Sequence, residues 1–424
     1  MADAALESAH YIQPEQLRIG LYVHLDLSWT QHPFTFSSFK IKSKEQIDTI
    51  QSLGLTRIRY SPEKSDAEPL AAPKPEEVRP PPLSTPPARD NDAAFQVKQQ
   101  RMERLTQQRA RAKACEKQLV NAARTIKSIN QNVFAQPFEV RESAQSLIDD
   151  MANSMLVEAD VSIQLMSDKV GGEEVYHHSL NVSLLSMMLA KELKAPAAVV
   201  RQVGMGALFH DIGLLEIPDR IAKAAAPLNK AEQGLLQQHC EYGVQIGKKM
   251  GLPADVLQVI AQHHERVDGS GYPNAAKAAQ MSLMSRIVSL VNTYDELCNP
   301  HDAARALTPH EALSMLFAQQ RAHFDSLALN TFVRCMGVYP PGTIVVLSNG
   351  VIGMVVSVNT TKPLRPMVLV HDPAVPREEA ILVDLEQEQD LSITKTMRPQ
   401  QLSAEAHAYL APRNRTTYFF DSES

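Results

Sequence analysis

Apolar positions change their period twice along this 424-residue chain, and the changes mark its regions. Over 17–27, β-branched, aromatic and Leu residues mix as in a strand. Ser43 then reads as a helix cap with Gln46 at the capping-box position. Ile47, Ile50 and Leu53 fall on one face, Gly54 ends the helix, and 57–60 returns as a strand. From 61 to 91 the apolar positions thin out and nine prolines fall between Pro62 and Pro87, so the stretch reads as an extended spacer. Beyond it, Ala112, Cys115, Leu119, Ala122, Ile126, Ile129 and Val133 alternate at spacings of three and four. That is an a/d seam on a long helix, suited either to self-association or to packing on the next helix.

Helical periodicity then dominates to about Gly337. It predicts helices over 140–168, 174–193, 197–210, 230–250, 254–264, 281–298 and 309–322. Thr308, Pro309 and Glu311 form a well-built start for the last of these. About seven amphipathic helices make a bundle whose interior can collect side chains from several helices. After Gly337 the period becomes two. Segments 343–347 and 351–358 flank Ser348-Asn349-Gly350, a strong hairpin turn, and 367–370 and 380–383 add strands. The expected fold is multi-domain and mainly α. A small α+β N-terminal domain (1–61), a linker (62–92) and a long helix (93–133) precede an all-α bundle (134–337) and a small β module with a tail (338–424).

Composition changes this picture little. Hydrophobic residues make up 44% of the chain and the net charge is −6. The length suits two or three domains, and the mild acidity gives no reason to expect binding to long nucleic acid. Arg101, Arg104, Arg109, Arg111 and Lys113 are most simply a solvated helix face. Cys115, Cys240, Cys298 and Cys335 form no CxxC pattern, which fits a reducing compartment. No basic-then-apolar leader and no apolar run near ~18 residues occurs, so a cytoplasmic protein without a membrane span is expected.

The chemistry concentrates between 174 and 273. Glu174 and His178 stand at i and i+4 on one helix face. His210-Asp211 and His263-His264 are adjacent ligand pairs near predicted helix ends, and His239 lies between them. Imidazole and carboxylate without thiolate suit Fe, Mn, Zn or Ni rather than a structural zinc knot. Ligands sharing a bridging Asp would form a binuclear centre of the kind that clamps both oxygens in phosphoester hydrolysis.

At these residues the chain resembles the HD-GYP family, a bacterial branch of the HD superfamily. The match rests on His178, His210-Asp211-Ile212-Gly213, His239 and the run His263-His264-Glu265-Arg266-Val267-Asp268-Gly269-Ser270-Gly271-Tyr272-Pro273, and it covers about 134–337. The N-terminal unit resembles the DUF3391 domain that precedes many such domains, and the β module resembles their C-terminal extension. The resemblance implies a metal-dependent phosphodiesterase that hydrolyses cyclic di-GMP to pGpG or GMP in second-messenger signalling. Carried over, Glu174, His178, His210, Asp211, His239, His263 and His264 would hold two or three divalent ions, with Fe or Mn foremost, and His210 and Asp211 would stand at the catalytic centre. Arg266, Asp268, Gly269, Gly271, Tyr272 and Pro273 would shape the substrate cleft. The same loop would meet partners such as diguanylate cyclases, and a homodimer is a further expectation.

Three positions depart from the family pattern. Leu214 stands where a Lys usually follows the HDIG tetrad. Asn292 replaces the late Asp ligand three residues before Asp295. His301-Asp302-Ala303-Ala304-Arg305 replaces an Arg-rich substrate-binding run. These losses keep open, beside the enzyme, a catalytically weak receptor for cyclic di-GMP or proteins, while the Gly-Tyr-Pro run disfavours a third reading, an HD hydrolase of another nucleotide.

Overall fold

A computed structural model describes residues 10–27, 31–34, 36–71, 103, 106, 120–157, 163–165, 177–224, 227–300, 302–358, 362–373, 375–377, 380–410 and 418–420. The chain divides into two compact units, one of Met1–Gln108 with Asp372–Ile381, the other of Arg109–His371 with Leu382–Ser424. The fold is mainly helical, with a small strand domain before the bundle and a strand module after it.

In the first unit, β1 (His10–Ile12), β2 (Tyr22–His24), β3 (Ser38–Lys40) and β4 (Ile58–Tyr60) form an antiparallel sheet in the order β1-β4-β2-β3. Helix α1 (Lys44–Ser52) begins at the expected cap, where Ser43 accepts from the Gln46 amide. Ile50 joins Leu21, Val23, Leu25, Ile41 and Ile58 in the core. The single strand expected over 17–27 is only β2, because Leu17 and Leu21 enter the core just after a 3₁₀ turn and a second turn rather than from a ladder. The first residues of the expected linker belong to this unit, since Asp66 N donates to Gly20 O and Leu70 N to Gln16 O.

The second unit is the bundle. Residues 120–132 are helical (α2), followed by α3 (Pro137–Val157), α4 (His177–Glu192), α5 (Ala197–Phe209), α6 (Asp219–Ala222), α7 (Lys230–Gln237), α8 (His239–Met250), α9 (Ala254–Gln262), α10 (Leu283–Cys298), α11 (Pro309–Ala318) and α12 (Ser326–Met336). Every residue from Leu180 to Ala190 in α4 is buried, which makes α4 the central helix. It is apolar or small all round, as a helix enclosed on every side must be. Ala122, Ile126, Ile129 and Val133 are buried in the same core as Val140, Ala144 and Ile148 of α3. The described half of the a/d seam is therefore spent inside the bundle. Ala112, Cys115 and Leu119 lie outside the described residues.

Two helix assignments need correction. The helix expected over 140–168 ends at Val157, and β5 (Ile163–Leu165) pairs antiparallel with β11 (Tyr418–Phe420). Apolar residues alternate at Ile163-Gln164-Leu165, and that period wins once a partner strand is present. The helix expected over 230–250 breaks at Gln238 into α7 and α8, so that His239 opens a new helix. Helix α12, whose Asp325 cap accepts from the amides of Leu327 and Ala328, was not expected as a separate helix.

The β module is a five-stranded antiparallel sheet in the order β10-β6-β7-β8-β9. Its strands are β6 (Ile344–Leu347), β7 (Ile352–Ser357), β8 (Met367–Val370), β9 (Leu382–Asp384) and β10 (Ile393–Met397). The expected hairpin turn joins β6 to β7, with Gly350 at φ +83° supplying the left-handed residue. The tail adds helix α13 (Ala404–Leu410) and strand β11.

Candidate metal centre

Helix ends deliver the ligands. His210 caps the C-terminus of α5 and Asp211 begins the following 3₁₀ turn, 212–216. His239 starts α8, and His263 is the C-cap of α9. His178 lies in the first turn of α4. Adjacent helical residues point about 100° apart, so a pair can converge only where the backbone leaves the helix, as it does after His210 and after His263. Gly213 makes this convergence possible. A Cβ there would lie 2.5 Å from Gly243 N and collide with His239 O, so a glycine lets the turn lie directly against α8.

Two ligand groups result, and they share one carboxylate. Asp211, His239, His263 and His264 form the larger, and His178, His210 and Asp211 the smaller, with ligand atoms in each within 4.8 Å of one another. Asp211 Oδ1 lies 3.4 Å from Nε2 of both His239 and His263. Its Oδ2 lies 3.4 Å from His210 Nε2 and 3.6 Å from His178 Nε2. The carboxylate thus faces one group with each oxygen, the geometry of a bridge.

The imidazoles are oriented by their other nitrogens. Nδ1 of His210 donates to Ala207 O at 2.6 Å, Nδ1 of His239 to Leu236 O at 2.7 Å and Nδ1 of His263 to Ile260 O at 2.8 Å. A carbonyl only accepts, so each ring carries its proton on Nδ1 and turns an Nε2 lone pair inward. His178 Nδ1 donates instead to Asp295 Oδ2 at 2.7 Å. Asp295 is fully buried and is held in turn by the side-chain amides of Asn181 and Asn299 at 2.8 and 2.9 Å. Inward lone pairs backed by carbonyls or a carboxylate are what metal-bound histidines require. The donor set therefore fits divalent cations.

Electrostatics separate the groups. Burial holds His263 in its neutral form, down to about 4, although the charge of Asp211 pulls the other way. Burial and the neighbouring imidazoles push His264 well below its ordinary value. For His178 burial opposes the charge, but the bond and charge of Asp295, with Asp211 and Glu296, outweigh it and lift the ring to about 9. Asp211 stays ionised despite burial, because His210, with His263 and His239 beside it, holds its carboxyl far below the usual range. The thiol of Cys240 is pushed up to about 12 by burial and by the charges of Asp211 and Glu265, so it offers no thiolate.

The glycine-rich loop is built onto this centre. Tyr272 stacks on His264 with ring centroids 4.5 Å apart, and its amide donates to His264 O at 3.2 Å. A Cβ on Gly271 would lie 2.5 Å from Arg266 N, Glu265 Cα and His264 O, so the chain doubles back tightly there. Asp268 Oδ1 accepts from the amide and hydroxyl of Ser270, while Gly269 turns at φ +83°. Arg266 is half-buried and the cis-linked Pro273 is exposed. The structure thus brings together His178, His210, Asp211, His239, His263, His264 and Tyr272. Asp268 serves the loop's own turn. Asn292 is buried on α10, its Nδ2 donating to Glu296 at 3.0 Å. Glu174 lies outside the described residues, as does His301 of the departing run.

Sequence reasoning gave no role to three carboxylates. Asp295 orients His178. Glu265, fully buried, accepts from the amides of Asn274 and Ala276 at 2.7 and 2.8 Å and so ties down the loop. Glu296 is exposed on α10, yet its charge reaches His178, Asp211 and Tyr272. A signal was available for Glu265, since a Glu between a ligand pair and a tight turn has few reasons to be buried other than bonding that turn.

Family models match three stretches of the chain. Residues 160–327 match the family described as HD domain, 10–142 match the domain of unknown function DUF3391, and 344–405 match the KOW domain associated with HD domain. The chain is 29% identical over 359 residues to cyclic di-GMP phosphodiesterase PA4108 of Pseudomonas aeruginosa, covering 84% of this chain and 83% of that protein. It is 27% identical over 209 residues to 3'3'-cGAMP-specific phosphodiesterase 2 of Vibrio cholerae serotype O1, covering 49% of this chain and 37% of that one. Among solved structures, Bd1817, an HDG"Y"P protein from Bdellovibrio bacteriovorus, aligns at a TM-score of 0.39 and 15% identity over 77% of this chain and 98% of its own. Residues 160–327 of this chain thus match an HD domain, with a match to DUF3391 ahead of it and a match to an HD-associated KOW domain after it.

Proposed function

We propose that the protein is a metal-dependent phosphodiesterase that hydrolyses cyclic di-GMP to pGpG or GMP. The observation that carries this reading is Asp211, whose two oxygens each face a separate group of inward imidazole lone pairs. His239, His263 and His264 would hold one ion with Asp211 Oδ1, and His178 and His210 the other with Oδ2. Bound there, two divalent ions, Fe or Mn by the donor set, lower the pKa of bound water toward ~7 and take up charge on the phosphate. Asp211 fixes the spacing of the two positions. Asp295, through His178, keeps the smaller group aligned. Tyr272, stacked on His264, forms a wall of the cleft beside the centre, and Arg266 at the base of the loop is the cation we assign to a substrate phosphate. The same loop is the surface we assign to protein partners such as diguanylate cyclases. The domain boundaries read from the sequence stand as part of this proposal.

Leu214 and Asn292 reduce the charge available to the phosphate without removing any member of the two groups. One charged contact is worth about 2–4 kcal/mol in such a site, or ~10²–10³ in rate. Slow turnover follows, and Leu214→Lys combined with Asn292→Asp should raise it. The test is anaerobic purification, elemental analysis and product chromatography with cyclic di-GMP and 3'3'-cGAMP, using Asp211→Asn as control. Metal that disappears in the control together with turnover supports the enzyme. Faster hydrolysis of 3'3'-cGAMP would reassign the substrate. A metal-loaded wild type that binds cyclic di-GMP but turns over no faster than the control would make the protein a receptor.

A further inference from the structure

The glycine-rich loop has a closed stem. Ala278 N donates to Val267 O at 3.0 Å, and Asp268 pairs with Lys277 in an antiparallel bridge. The stem rests on the 3₁₀ turn Arg321–His323, where Val267 N donates to His323 O at 2.9 Å. That turn is itself fastened. Arg286 of α10 reaches Asp325 at 2.7 Å, and Asp325 caps α12 two residues after the turn. The same helix holds the start of the loop, since Ser289 Oγ donates to Glu265 O at 2.7 Å.

One side-chain contact completes the arrangement. His323 Nε2 lies 3.8 Å from Asp268 Oδ2, while the other carboxylate oxygen, Oδ1, is spent on the amide and hydroxyl of Ser270. The second ring nitrogen of His323, Nδ1, is buried and has no hydrogen-bond partner. A carboxylate only accepts, so the ring meets Asp268 favourably with a proton on Nε2. A proton on Nδ1 would be buried with nothing to bond. Neither His323 nor Asp268 belongs to a ligand group. The backbone bond from Val267 would survive any residue at 323, so the imidazole adds something beyond the fold of the turn.

We propose that His323 is a positioning residue for the dinucleotide, acting through Asp268 to hold the glycine-rich loop where Tyr272 and Arg266 border the metal centre. The inference rests on the phosphodiesterase reading above and deepens it with a residue 50 positions beyond the loop.

The test is calorimetric binding of cyclic di-GMP to the Mn(II)-loaded full chain, with ion content and melting temperature measured on the same samples. The amide of Asn ends near the place of Nδ1 and falls short of Asp268, whereas the amide of Gln reaches as far as Nε2. His323→Asn should raise the dissociation constant ~5-fold, the upper end for a partly exposed charged contact, with ion content and melting temperature unchanged. His323→Gln should stay within about 2-fold of the wild type. In an Asp268→Ala background, His323→Asn should have no further effect, because the partner is already gone. Wild-type affinity in His323→Asn overturns the inference and leaves the phosphodiesterase reading intact. Equal losses in His323→Asn and His323→Gln, or additive losses with Asp268→Ala, also overturn it, since the ring would then act by packing alone. A metal-loaded wild type that binds no cyclic di-GMP refutes the phosphodiesterase reading itself and takes this inference with it.

Discussion

His239 and His263 bring their Nε2 atoms to 3.0 Å of each other, although each has already given its ring proton to a carbonyl of its own turn. No proton is left to join them, and Asp211 Oδ1 lies 3.4 Å from both. Two lone pairs and a carboxylate in contact form an electrostatic debt that a cation removes. Across the shared carboxylate the arrangement differs, since His178 and His210 meet at 3.1 Å with His178 favouring its charged form. Metal-free, the larger group is ready to bind while the smaller one holds a proton.

The two groups should therefore differ in pH dependence. His178 is raised above its ordinary ~6.5 to about 9. In the metal-free protein its contribution to stability is complete below ~6.5 and is lost as pH rises through about 9, by up to about 3 kcal/mol. An ion entering the smaller group at neutral pH must displace that proton, so its affinity should rise up to ~10-fold per pH unit until about 9. In the larger group His263, at about 4, holds no proton to displace above pH 6. Calorimetric titrations in buffers of different ionisation enthalpy read the proton count directly. We expect about one proton released for the weaker equivalent, and equal release at both would contradict the assignment.

Asp295 should matter without touching metal. Replacing it with Ala frees the His178 ring and removes the acceptor that the Asn181 and Asn299 amides now bond. The expected result is a 10- to 100-fold loss of affinity for the weaker ion, the usual scale for removing a carboxylate behind a ligating His. The tighter equivalent should be unaffected. Sequential Mn(II) titration of Asp295→Ala distinguishes this from a global loss of fold, which would remove both.

How much of this was legible in the sequence depended on distance along the chain. The pairs His210-Asp211 and His263-His264 and the loop glycines announce themselves because their meaning is local. Asp295 gives no such sign, since its partner His178 lies 117 positions away and nothing in either neighbourhood points to the other. The break at Gln238 was invisible because α7 and α8 continue one another's period, and only the need to place His239 against His263 separates them. Strand β5 was read as helix because its partner β11 arrives some 250 residues later. The seam through Ile126 and Ile129 was read correctly as a seam. Which surface fills it is a question of packing, and the bundle's own α3 does so.

Gly213 sets the approach of the turn to α8. Gly213→Ala would place a methyl against His239 O and Gly243 N, backbone atoms that cannot rotate away. We expect destabilisation of about 2–4 kcal/mol, accompanied by loss of metal, because the shift would separate Asp211 from His239. Denaturant unfolding combined with elemental analysis checks both. A stable, fully metallated variant would show that the turn has slack the geometry does not suggest.

Glu265 offers the sharpest separation of structure from ligation. It sits beside His264, fully buried, yet both its oxygens are spent on the amides of Asn274 and Ala276, and it belongs to neither ligand group. Its work is to hold the segment carrying Tyr272 against His264. In Glu265→Gln one of the two amides would face an –NH₂ group instead of an acceptor, at a cost of about 1–3 kcal/mol. The loop should loosen while the ions stay. We therefore expect wild-type metal content, a normal pH dependence of metal binding and a dissociation constant for cyclic di-GMP raised about 10-fold or more. Metal loss with unchanged dinucleotide affinity would make Glu265 a ligand and overturn its role as the anchor of the loop.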